Sequence, residues 1–288
     1  MEAHPDHLLT DDRVERFRRT LGSDGSVCDL ARTALLLGTL EDEQLDPQPW
    51  LARLDALAVE VQARLNHRGR RPDDGRAAVE ELTGFLYGEL GLRGNAEDYY
   101  DPANSFLHRV LDRGLGIPIS LALVVVEVGR RVGIPLQGVG LPGHFLVRWS
   151  GPGASFFLDP FAAGRLLDEA GCAQLLNGLG LSVPFSRELL QPVGAEATLT
   201  RMLRNLKGAY LRRRDPQRAV AALDLLLTLA PKLHAERRDR GLLLLGIGRW
   251  GRAVTDLERY LGWRPDAPDA PEVRRSLEDA RRRLWTLN

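Results

Sequence analysis

Lysine is almost missing from this chain. Of its 39 basic residues only Lys207 and Lys232 are lysines, and the rest are arginines. The first 200 residues therefore offer no amine for a Schiff base and no phosphate-loop lysine. Cysteine is as scarce. Cys28 and Cys172 cannot make a disulfide framework, and a reducing cytoplasm is the simplest setting. No run of about 18 apolar residues occurs, so no membrane-spanning helix is expected. Residues 1–10 lack the basic-then-apolar order of a secretory signal. His67 and His234 stand alone, no Cys/His cluster has zinc spacing, and neither a metal nor a cofactor is expected. Net charge is lacking too, with 39 acidic residues against 39 basic. It is unevenly spread: residues 201–288 hold 20 basic and 11 acidic residues, a net of +9, which leaves −9 on the first 200.

The composition that remains, 44% apolar and 27% charged, is that of a globular protein. Residues 1–25 are polar and read as a flexible leader. Residues 26–40 read as an apolar helix, with Cys28 on the face of Ala31 and Leu35 and so a packed thiol. Asp46-Pro47 opens a second helix, in which Leu51, Leu54, Leu57, Ala58, Val61 and Leu65 recur at helical spacing. A third runs over 77–90, with Val79, Leu82, Phe85 and Leu86 on one face. Gly116-Ile117-Pro118 opens a helix over 118–132 that is apolar almost all round, and so expected to be buried. The period then changes to two. Residues 136–141, 144–149 and 154–159 read as strands separated by Pro142-Gly143 and by residues 150–153. Cys172 falls in a later helix and also reads as packed.

Beyond Gly194 the pattern is helical only, and it repeats. Ala219 and Ala253, Leu223 and Leu257, and Pro231 and Pro265 each stand 34 residues apart, the tetratricopeptide signature. Leu206 and Tyr210 fit the first helix of repeat one, and Gly241 fits repeat two. Arg240 breaks the pattern, because it stands where repeat one has Leu206. Residues 270–287 read as the capping helix that a short array needs. The run Glu41-Asp42-Glu43 reads as a solvated helix end. Arg212-Arg213-Arg214 and Arg281-Arg282-Arg283 lack interleaved aromatics, so nucleic acid is not an expected partner. The charge of residues 201–288 favours an acidic peptide, or the acidic half of the chain itself.

If residues 150–153 form a four-residue hairpin loop, His144 lies directly opposite Asp159, Leu146 opposite Phe157 and Arg148 opposite Ser155. An aspartate there can hold the imidazole in one tautomer, as the third member of a catalytic triad does. A half-buried His–Asp pair with no chemistry is the plainer reading.

The order of these features resembles the papain-like transglutaminase core, whose triad is Cys, His and Asp. The matches are Gly133-Ile134-Pro135, Gly143-His144 and Leu158-Asp159-Pro160. The nucleophile departs from the pattern, because the family's Cys falls on Pro118. Ser120 is the nearest substitute in sequence. Two residues along a helix is a rotation of about 200°, which turns Ser120 away from the direction of residue 118. The chain also resembles the bacterial SirB family over roughly residues 26–285. That likeness rests on Gly94-Asn95, Tyr99-Tyr100-Asp101, Asn104-Ser105, residues 116–121, residues 141–145 and the repeat tail. The resemblance implies that proline in place of the cysteine is the rule, and that related domains occur in some eukaryotic F-box proteins. It puts Tyr99, Tyr100 and Asn104 beside His144 and Asp159 as binding candidates.

The expected fold is α+β: a transglutaminase-like (papain-like) helix-plus-antiparallel-sheet domain over 26–192, then an all-α tetratricopeptide array over 193–288. Two functions follow. One is a non-catalytic, protein-binding scaffold. The other is an acyl-transfer hydrolase that uses His144 and Asp159 with a substitute nucleophile such as Ser120. The first predicts no reactive nucleophile within about 3.5 Å of His144, and the second requires one.

Overall fold

The computed structural model describes residues 11–22, 26–27, 29–151 and 154–286. Cys28 lies outside them. The first described element is α1 (Asp11–Arg18), a helix within the segment expected as a flexible leader over 1–25. Val14 and Phe17 share a helical face, and Phe17 is buried. One large apolar anchor in an otherwise polar octapeptide is too faint a periodicity to read as a helix.

The chain divides into two compact units. One is 29–202, and the other joins 203–288 to the described residues before 29. The first unit opens with α2 (Leu30–Leu36), shorter than the helix expected over 26–40 because Asp29 caps it, accepting from the Arg32 amide at 3.0 Å. A 3-10 turn (Leu37–Leu40) follows. Next comes α3 (Gln48–His67), whose six periodic apolar residues are all buried. α4 (Arg76–Thr83) runs into a π-helical stretch, Gly84–Glu89. β1 (Arg93–Gly94), α5 (Leu107–Arg113) and β2 (Leu115–Gly116) lead to α6 (Pro118–Val132). Then come β3 (Leu136–Val139), β4 (Leu146–Gly151), β5 (Ala154–Asp159), β6 (Arg165–Leu167) and α7 (Glu169–Gly178).

α6 is the centre of this unit. Twelve of its fifteen residues are buried, and it packs against α3, α5, β3 and β4. Fully burying one Leu, Val or Ile contributes about 1.5–3 kcal/mol, so this helix anchors everything around it. Its one buried acid, Glu127, is neutralised by Arg131 at 2.5 Å and Arg130 at 3.0 Å. β3 to β6 form an antiparallel sheet in chain order, while β1 and β2 pair in parallel. Behind the sheet, Val139, Leu141, Leu146 and Phe157 pack with Cys172, Leu176 and Leu190.

The hairpin register corrects the expectation. Val147 pairs with Leu158, Trp149 with Phe156 and Gly151 with Ala154, so the ladder runs on through Ser150 and Gly151. Ser150 and Gly151 look like loop residues, yet they continue the ladder, where Trp149 stacks on Phe156 at 5.0 Å. The shift is two residues. Because strand side chains alternate with period two, the same residues keep the same face.

α8 (Ala195–Arg212) spans the division between units at 202/203 and begins just after the boundary expected at 192/193. The second unit continues with α9 (Pro216–Leu229), α10 (His234–Gly246), α11 (Trp250–Trp263) and α12 (Ala270–Trp285). α1 packs against α9. The residues of the 34-residue repeat, Ala219, Leu223, Ala253 and Leu257, are fully buried, as is Leu206. No strand occurs among the described residues after Ala197.

Candidate functional site

His144 sits two residues before β4, in the turn opened by Pro142-Gly143, and is buried. Its Nε2 lies 2.8 Å from Oδ1 of Asp159, the last residue of β5. The two are diagonal across the hairpin rather than opposite. Diagonal neighbours on one face stay within reach of long side chains, so the pair survives the corrected register.

Asp159 has two tasks. Its Oδ1 also accepts from the backbone amides of Phe161 at 3.1 Å and Ala162 at 3.3 Å, closing the 3-10 turn Pro160–Ala162. Burial alone would raise its pKa. The hydrogen bond and charge of His144, with the two amides, outweigh burial and hold the carboxyl below its ordinary range. An ionised Asp159 only accepts, so Nε2 is the donor of this hydrogen bond, and Nδ1 is the ring nitrogen not engaged with Asp159.

An aromatic wall runs from this pair. Phe161 meets His144 edge-on at 6.4 Å and Tyr99 edge-on at 5.8 Å, and Tyr99 meets Tyr100 at 5.3 Å. Tyr99 and Tyr100 are exposed and form the outer end. Phe161 lies on Gly94, where an added Cβ would come within 2.5 Å of its ring. The glycine of Gly94-Asn95 is thus required for Phe161 to reach His144.

Three residues of this neighbourhood gave no signal in the sequence. Phe161 lies just past the Asp-Pro motif. Arg201 donates to the Leu141 carbonyl at 2.7 Å and stacks over the Phe145 ring at 5.6 Å, bracing both sides of the turn that carries His144. Burial lowers its pKa. Tyr87, in the π-helical stretch, has a buried hydroxyl with no hydrogen-bond partner; burial and the charge of Asp159 raise its pKa. A tyrosine in an amphipathic helix and an arginine in a repeat helix look like ordinary surface residues until the fold places them.

The other sequence candidates form a separate network. Asn104 is fully buried, and its amide donates to the carbonyls of Asp98 at 2.7 Å and Tyr99 at 3.3 Å, while its Oδ1 accepts from Asn95 at 3.1 Å. It holds the loop that presents Tyr99 and Tyr100, and its polar atoms face that loop. Pro118 is the first residue of α6 and is buried. Ser120, also fully buried, donates to the Asn104 carbonyl at 2.5 Å and accepts from the Ile117 amide at 3.1 Å. That is half of a capping box: the hydroxyl satisfies an orphan amide at the helix start. Cys172 is fully buried in the core behind the sheet, and burial, with nearby Asp168 and Glu169, pushes its thiol up to about 12.

Comparison with known proteins agrees with this architecture. Residues 48–204 match the family described as "Transglutaminase-like superfamily", and residues 206–278 match "Tetratricopeptide repeat". A "UPF0162 protein" of Xylella fastidiosa (strain 9a5c) is 36% identical over 260 residues, covering 89% of this chain and 91% of that protein. A "UPF0162 protein" of Vibrio cholerae is 32% identical over 199 residues, covering 68% of this chain and 73% of its own. "F-box only protein 21" of Mus musculus is 35% identical over 136 residues, which is 44% of this chain but 21% of that protein. With more than half its length matched and a relative aligned nearly end to end, this chain belongs to the transglutaminase-like superfamily, carries tetratricopeptide repeats after that domain, and is similar along most of its length to bacterial UPF0162 proteins.

Proposed function

We propose that this chain is a non-catalytic scaffold. In this reading a transglutaminase-like domain without its nucleophile binds or regulates a protein partner, and the repeat helices add a second binding surface. The observation that carries it is the start of α6. Proline stands where the resemblance puts the triad cysteine. It has no labile proton, and no backbone N–H to help hold an oxyanion. Ser120, the nearest substitute, has its proton on the Asn104 carbonyl. Cys172 belongs to the core. His144 and Asp159 then act as a polar anchor beside the Phe161–Tyr99–Tyr100 wall, a surface suited to a peptide side chain.

A second reading has one observation in its favour, the hydrogen-bonded His144–Asp159 pair itself, which is what an acyl-transfer hydrolase would retain. The two described candidates for activation, Ser120 and Cys172, are engaged elsewhere. The SirB resemblance supports the scaffold, since proline at this position is the rule in that family. The excess of arginine over acidic residues after residue 200 supports an acidic partner, and the scarcity of cysteine supports a cytoplasmic setting. Treatment of the folded protein with serine- and cysteine-directed covalent probes tests the proposal. No His144-dependent labelling is expected. Labelling that disappears in His144→Ala overturns it.

A further inference from the structure

The repeat unit contains a cavity of about 560 Å³ that the His144 site does not involve. It is built from three places in the chain. Arg204 comes from α8. Lys232 to Glu236 and Arg238 come from the turn before α10 and its first turns. Tyr260, Arg264 and residues 267–269 come from the end of α11 and the turn into α12. Arg204 and Arg238 stand 34 residues apart, so successive repeats deliver the same arginine to the same cavity.

The charge of the lining is unbalanced. Four cations, Arg204, Lys232, Arg238 and Arg264, face two carboxylates, Glu236 and Asp269. Both carboxylates are already satisfied. Glu236 takes Arg204 at 2.8 Å and Lys207 at 2.5 Å. Asp269 takes Arg238 at 2.5 Å and the Tyr260 hydroxyl at 2.6 Å. Lys232 and Arg264, both exposed, have no ion-pair partner among the described residues. The field of the backbone has the same sign. α10 opens on this cavity with no side-chain cap, so the amides of its first turn are orphan donors at the positive end of the helix. His234, whose ring packs on Trp263 at 4.6 Å, keeps a buried Nδ1 with no partner at the same place.

We propose that this cavity is an anion site that takes the carboxylates of an acidic peptide segment from a partner protein. The inference rests on the protein-binding reading above and names the chemistry of one partner surface. Lys232 and Arg264 supply the free positive charge, Arg204 a guanidinium held through its Nε on Glu236, and the start of α10 the backbone donors, while Arg238 is committed to Asp239 and Asp269 and fixes the wall. The cavity's volume lies within the range of pockets that hold a compact ligand, which suits one or two acidic side chains rather than a folded surface.

The test uses the full chain and a fluorescein-labelled peptide of alternating Glu and Asp, followed by fluorescence anisotropy at low salt. The isosteric Gln/Asn peptide is the neutral control. Binding of the acidic peptide alone is expected. Lys232→Gln with Arg264→Gln should weaken it at least about tenfold, the scale of one lost charged hydrogen bond. Arg282→Gln with Arg283→Gln removes the same charge from α12 outside the cavity and should stay within about twofold. The charge reversal Lys232→Glu, on an exposed turn, gives a second variant that leaves the fold intact. Three results would overturn the site: no binding of the acidic peptide to the natural chain, equal binding of the neutral peptide, or equal loss in the two double variants. None of them bears on the covalent-probe test of His144, so the two claims fail separately.

Discussion

Arg240 offers the sharpest contrast between what the repeat pattern implies and what the structure implies. By the 34-residue register it stands where repeat one has the fully buried Leu206, so Arg240→Leu restores the apolar pattern and should stabilise. The structure predicts the reverse. Arg240 donates from Nε and Nη2 to Asp256 at 2.7 and 2.8 Å, and from Nη1 to Asp224 at 2.7 Å. Both aspartates are buried, at 2% and 6% exposure. Removing one member of a buried ion network costs about 3–5 kcal/mol, because a charge stays behind without its partner. Here each aspartate keeps another arginine: Asp256 has Arg237 at 3.2 Å, and Asp224 has Arg252 at 2.6 Å. The lower end, about 3 kcal/mol, therefore applies. Arg240 already buries its own methylenes, its side chain being 14% exposed, so leucine returns only the worth of about one further CH2, about 1 kcal/mol. The net expectation is a loss of about 2 kcal/mol for Arg240→Leu, read by urea unfolding followed by circular dichroism. A double-mutant cycle with Asp256→Asn should show coupling above about 1 kcal/mol. Unchanged or increased stability in Arg240→Leu would refute the reasoning.

Three further outcomes follow. Ser120→Ala should cost about 1–3 kcal/mol in urea unfolding, since it leaves the Ile117 amide and the Asn104 carbonyl poorly satisfied, and it should change no reactivity toward serine-directed probes. Asp159 has a depressed pKa in the folded state, so its contribution is fully present above the ordinary carboxylate value of about 4 and is lost as pH falls through the folded value. The stability gap between the natural chain and Asp159→Asn should accordingly close in acid; a gap that persists unchanged through the acid range would contradict the ionised carboxylate. In a Cys28→Ser background, Cys172 should resist thiol reagents at neutral pH and react in denaturant, because its thiol is fully buried and its pKa is pushed up to about 12.

The helices were legible because their apolar residues recur over several turns. α3 buries the six residues its spacing names, and α6 buries nearly everything, as its composition requires. The repeat was legible because a fixed period survives Arg240. β6 was not read, for three residues give no alternation to count. β1 and β2, of two residues each, are set by the fold around them. The hairpin slipped by two because Ser150 and Gly151 have loop chemistry but ladder geometry. His144 and Asp159 still met, since a slip of two preserves the face. Asn104, a binding candidate, and Ser120, the nearest substitute nucleophile in sequence, direct their polar atoms to nearby backbone groups, a role that no motif announces. Phe161, Tyr87 and Arg201 reach the site from parts of the chain that carry no motif.

The central claim is that His144 and Asp159 form a base with nothing to deprotonate. Incubation of the natural chain and of His144→Ala with a labelled amine donor and glutamine-containing substrates tests it most directly, with release of free acid measured alongside amine incorporation. The account predicts that neither protein turns over substrate above the buffer rate. Turnover by the natural chain that vanishes in His144→Ala would contradict it and would require a nucleophile within reach of Nδ1.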